Sequence, residues 1–121
     1  MEGITKVEEL YYLAIQAKKK KNAQILIVKI TDNYAKIIDT IKHDIIDTSG
    51  LDYHDGNLYI ISDTNDKLYI YNLKKKKMKK KSYNLPEFAQ EGIAFDGNGS
   101  LLLADDNGAV FKYTKKELKL K

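Results

Sequence analysis

The residues of this sequence best suited to chemistry are acidic ones at recurring places. Glu2 and Glu91 each stand directly before a glycine, in Glu2-Gly3-Ile4-Thr5 and Glu91-Gly92-Ile93-Ala94, and Ser49 holds the same place in Ser49-Gly50-Leu51-Asp52. If a fold carries these segments to one axis, the two carboxylates can bind a hard cation such as calcium, completed by carbonyl and water ligands. Asp52, Asp63, Asp105 and Asp106 add oxygen ligands if their loops open on the same end. The candidate metal set is therefore Glu2, Glu91, Asp52 and Asp105. A plainer use of the same residues is open as well: glycine allows close packing near the axis, and the glutamates bond to neighbouring backbone amides.

Catalysis has less to build on. Two glutamates related by a repeat need no acid–base explanation. The sequence contains no glycine-flanked serine elbow, no phosphate-cradling loop and no metalloprotease helix. With no cysteine and only His43 and His54, thiolate metal sites and zinc chemistry are set aside. His43 follows an expected outer strand and reads as solvent-facing, and His54, next to Asp55-Gly56, reads as a turn residue. No catalytic residue is assigned, and hydrolysis by this chain alone is not expected.

The elements that must position these residues follow from an internal repeat. Gly3, Gly50 and Gly92 are 47 and 42 residues apart, the spacing of propeller blades. Seven to nine residues after each glycine comes an apolar strand, Leu10–Ile15, Leu58–Ser62 or Leu101–Ala104. A polar turn leads to a third strand, Gln24–Ile30, Lys67–Tyr71 or Ala109–Tyr113. The second strands are apolar on both faces, as in a sheet covered on both sides. The outer-strand candidates Ala35–Ile41 and Ser82–Leu85 are more mixed. Asp55-Gly56-Asn57 and Asp96-Gly97-Asn98-Gly99 carry hairpin-turn chemistry between first and second strands. Pro86 falls between the second and third copies.

A helix over residues 6–17 fits part of the apolar spacing, but the aligned copies carry strands there. The expected fold is all-β: three four-stranded antiparallel blades, a β-propeller fragment or half-propeller, with boundaries near 1–47, 48–88 and 89–121. The strand tyrosines, among them Tyr11, Tyr59, Tyr69 and Tyr71, read as packing between blades.

Composition limits the partners. The net charge of +4 comes from 21 lysines with no arginine, against 17 acidic residues. Guanine readout and bidentate phosphate grip lean on arginine, so specific nucleic-acid recognition is disfavoured. The lysine runs Lys18–Lys21 and Lys74–Lys81 read as solvated hairpins or edges that discourage strand pairing with other molecules. No apolar run approaches the roughly 20 residues of a membrane span, and the first residues lack the pattern of a signal peptide. The bare chain reads as soluble and cytoplasmic.

Four segments carry a family resemblance: Ser49-Gly50-Leu51-Asp52-Tyr53, Leu58-Tyr59-Ile60-Ile61-Ser62-Asp63, Glu91-Gly92-Ile93-Ala94-Phe95-Asp96 and Leu101-Leu102-Leu103-Ala104-Asp105-Asp106. They resemble the SdiA-regulated family of bacterial six-bladed β-propellers, one branch of a group with phytase-like and lactonase-like members. The match is clearest over residues 47–113. It implies a ligand- or protein-binding propeller module in the cell envelope or periplasm, or else a calcium-dependent hydrolase fragment. The family's complete ring and leader are not expected in this chain. The chain is therefore expected to pair with a second copy of itself or with the missing half of a ring.

Overall fold

The computed structural model describes residues 3–15, 17–19, 22–46, 48–62, 66–85, 90–105, 108–114 and 116–117. Glu2, Asp63, Pro86 and Asp106, all singled out above, lie outside the described residues. The described secondary structure is antiparallel strand, arranged in three sheets. The segment 6–17 contributes a turn and a strand, so the helical reading falls.

The first sheet is a meander of β1 (Gly3–Val7), β2 (Leu10–Ile15), β3 (Gln24–Thr31) and β4 (Tyr34–Lys42). The second runs β5 (Thr48–His54), β6 (Asn57–Ser62), β7 (Lys67–Asn72). Two short segments, β8 (Lys77–Met78) and β9 (Tyr83–Asn84), then share the outer edge of β7. The third is β10 (Gln90–Phe95), β11 (Leu101–Asp105) and β12 (Val110–Tyr113).

Four strands per sheet therefore holds for the first sheet alone among the described residues. The edge of the second is broken by lysines. Asn72 Oδ1 accepts the Lys75 amide at 2.8 Å, Lys76 adopts φ 53°, and only two residues pair before the chain leaves β7. A lysine run has no apolar face to press on the sheet, and like charges favour solvent. The chain returns at Tyr83, which is buried and pairs with Leu68.

Turn chemistry shapes the hairpins. Asp55 and Gly56 both hold positive φ, 48° and 85°, between the paired residues His54 and Asn57, the mirror-image turn that matches strand twist. At the corresponding turn of the third sheet, Asp96 Oδ1 accepts the amides of Asn98 and Ser100, both at 2.9 Å.

The sheets stack face to face through two cores. Between the first and second sheets lie Tyr12, Ala14, Ile25, Ile27, Leu58 and Ile60. Between the second and third lie Tyr59, Ile61, Leu68, Ile70, Leu101 and Leu103. Successive strand residues point to opposite faces, so β6 sends Leu58 and Ile60 into one core and Tyr59 and Ile61 into the other. Full burial of each such side chain stabilises by about 1.5–3 kcal/mol. Tyr69 and Tyr71 pack against the first core and Tyr59 lies in the second, so these tyrosines do join neighbouring sheets.

The three glycine-bearing strands lie side by side, β1 against β5 and β5 against β10. Glycine is required at the first joint, and the second is tight. A Cβ on Gly3 would stand 2.9 Å from the Leu51 nitrogen, and one on Gly50 would stand 3.2 Å from Ile93 Cγ2.

Candidate functional site

The acidic residues singled out from the sequence occupy the glycine strands and their hairpin partners. In β5 the register with β6 shifts between Thr48 and Gly50, leaving Ser49 at the irregularity; in β10 it shifts between Gln90 and Gly92, leaving Glu91 there. Ser49 and Glu91 are therefore structural equivalents, as their place before the glycine suggested. Bulges of this kind re-aim a side chain and recur beside functional sites. Asp105 ends β11, paired with Gln90, as Ser62 is paired with Thr48 in the second sheet. The Ser49 hydroxyl oxygen is buried with no hydrogen-bond partner among the described residues.

Asp52 has a defined structural task. Its Oδ1 accepts the Thr5 hydroxyl at 3.1 Å and its Oδ2 accepts the Phe95 amide at 2.9 Å. Thr5 belongs to β1 and Phe95 to β10, so one carboxylate ties the glycine strands of all three sheets together. Among the described residues no group of three or more acidic, histidine or cysteine side chains is gathered for a metal.

His54 ends β5, and its ring stacks on Phe95 with centroids 4.4 Å apart and planes 12° from parallel. Tyr59 meets the same Phe95 edge-on at 4.6 Å. Three rings thus cover the joint between the second and third sheets, where the sequence suggested only a turn residue.

The expectation for His43 is overturned. It is buried, only 8% exposed, because the chain leaving β4 turns inward to bring Ile45 into the first core. The His43 amide donates to the Ala23 carbonyl at 3.2 Å, and Nδ1 accepts the Ile45 amide at 3.1 Å. An Nδ1 that accepts leaves the proton of the neutral ring on Nε2. That Nε2 is buried and has no partner among the described residues. Burial pushes the His43 pKa below its ordinary value, with Asp44 opposing in part.

His43 lines a cleft of about 760 Å³ between the outer strands of the first and second sheets. The turn before β8 supplies Lys76, β8 itself Lys77 and the segment after it Lys79 and Lys80, the end of β4 supplies Lys42, and Asp39 and Asp44 are the acidic lining groups. Tyr12 and Tyr71 also reach it, with hydroxyl pKa values raised by burial, so both stay neutral donors. Cationic, hydroxyl and imidazole donors thus share one cavity. A scan of family models and a search of curated proteins give no match to this chain.

Sequence reasoning missed this cleft because its two walls come from different copies of the repeat. The lysine run was visible, but nothing in its spacing tied it to His43. The available signal was the apolar Ile45-Ile46 pair two residues on, which marks the segment after β4 as inward-turning.

Proposed function

We propose that this chain is a binding module that holds an acidic ligand in the cleft between its first and second sheets, without turning it over. The observation that carries the reading is that His43, whose buried Nε2 has no partner among the described residues, lines a lysine-rich cavity. A buried donor without a partner costs about 1–3 kcal/mol, which a carboxylate or phosphate oxygen would offset. Lysines act there as point charges that attract an anion without fixing its geometry. An acidic peptide segment is the ligand class proposed, since the tyrosine and aliphatic walls also take side-chain carbon.

The scaffold is proposed to be the propeller type of the SdiA-regulated family. Support comes from the side-by-side glycine strands and the two-sided burial of β6, both as in neighbouring blades around a channel. A second reading is a calcium site built from Glu2, Glu91 and Asp105, the metal that a phytase-like or lactonase-like hydrolase of the same fold would need. The bulge that Glu91 shares with Ser49 favours it. Calcium titration by calorimetry, wild type against Glu91→Gln, tests that reading; equal heats from both defeat it.

Fluorescence anisotropy with a labelled hexaglutamate peptide tests the cleft. Binding is expected to saturate, to weaken as salt rises, and to fall about tenfold in His43→Asn and in Lys77→Ala/Lys79→Ala, the loss of one or two charge-assisted contacts. Pyrophosphate competing better than free peptide would shift the ligand class to phosphates. Binding equal in wild type and both variants rejects the cleft.

A further inference from the structure

The joints between sheets follow one rule. The glycine of each sheet presses on the residue that follows the glycine of the next. Gly3 abuts Leu51, the residue after Gly50, and Gly50 abuts Ile93, the residue after Gly92. Leu51 is covered in this way and is 4% exposed.

Among the described residues, two halves of the same joint are left unmated. Ile4, the residue after Gly3, is 51% exposed, although its position is the one Leu51 holds in the second sheet. Gly92 has the matching vacancy: among the described residues a Cβ built there meets only the Ala104 Cβ, at 3.7 Å, and no backbone of a neighbouring sheet. Around Gly92 the third sheet presents a shallow apolar depression of about 260 Å³ lined by Ala94, Leu102, Ala104 and Val110. Val110 is itself 68% exposed. On the first sheet Ile4 pairs with Leu13, which pairs with Leu26, so the open face there carries larger apolar side chains. Small residues at one end and large ones at the other repeat the internal pattern, where Gly3 and Ala14 face Leu51 and Leu58.

We infer that this chain associates head to tail with a second copy, the Gly92 face of each molecule receiving Ile4 of the other. The occupant follows from the joint itself: the surface that fits the Gly92 face is one this same chain carries and leaves open. Two such joints related by a twofold axis close six sheets into a ring and leave no open end face. The inference stands apart from the cleft, which lies between sheets of one molecule.

Sedimentation equilibrium of the full chain tests it. Wild type is expected at twice 13.9 kDa. Ile4→Asp and Gly92→Val are each expected to be monomeric with the strand signal of wild type by circular dichroism. Mixing the two variants is expected to restore a heterodimer, because one joint, Gly92 of the first variant against Ile4 of the second, remains intact. If Gly92→Val loses its strand signal, Leu102→Lys on the same open face takes its place. A monomeric wild type overturns the inference. So does a dimer that survives both variants, which would place the contact elsewhere, or a wild type that assembles beyond two copies, which would mean that the joint does not close.

Discussion

The second strands of the three sheets are written in the same apolar alphabet, yet they meet different surroundings. In β6, Leu58, Tyr59, Ile60, Ile61 and Ser62 are all buried. In β2 only Tyr12 and Ala14 are buried, and among the described side chains of β11 only Leu101 and Leu103, while their neighbours Leu13 and Leu102 are half-buried. Residue type does not separate these strands. Place in the stack does, since among the described residues the middle sheet alone has a neighbouring sheet on each face. An apolar run thus reports the cover a strand is built for, and burial reports the cover it has.

The sharpest way to break the comparison is to truncate both kinds of position. Ile60→Ala is expected to destabilise by about 2–5 kcal/mol, a transfer loss plus a cavity, whereas Leu102→Ala in the isolated molecule should cost under about 1 kcal/mol. Urea unfolding of both variants measures the difference, and equal costs would mean the middle sheet is not privileged. Glycine substitutions should divide in the same way. Gly3→Val meets the backbone of Leu51, which cannot yield like a side-chain end, and overpacking of that kind costs about 1–3 kcal/mol. Gly92→Ala should be nearly neutral for the fold of one molecule.

Asp52 sharpens the comparison at the joints. Asp52→Ala leaves the Phe95 amide and the Thr5 hydroxyl without their acceptor, at an expected cost of about 1–3 kcal/mol. Asp52→Asn keeps one carbonyl oxygen and should lose less; thermal melts of the two variants rank them.

Smaller still is a pH effect from His43. Its folded pKa lies below the ordinary 6.5, so the unfolded chain takes up the proton first as pH falls. Stability from this group is complete above pH 6.5 and drains away as pH drops from there toward the folded pKa. His43→Asn should remove that slope, as seen by urea midpoints at pH 7.5 and at successively lower pH. The smallest change is expected from Lys112→Ala, which removes an ion pair to Asp96 at 3.4 Å on a solvent-screened surface and should leave the urea midpoint almost unmoved.

The repeat, the strand class, the hairpin at Asp55-Gly56 and the equivalence of Ser49 with Glu91 were legible in the sequence, because each depends on local backbone preference or on spacing within one copy. Strand alternation and positive-φ turns act over a few residues, and glycine before an apolar residue is a pattern that survives without knowledge of neighbours. Three features required the tertiary structure. Asp52 became a tie between sheets, His43 turned inward with an unpartnered nitrogen, and the edge of β7 split between β8 and β9. The Asp52 tie is decided by what the residue meets from the other two copies of the repeat, whereas His43 and the edge of β7 are decided by burial and pairing within their own copies. Hydrogen-bond partners and burial come from residues tens of positions away, and a single sequence holds no record of that distance until the chain has closed it.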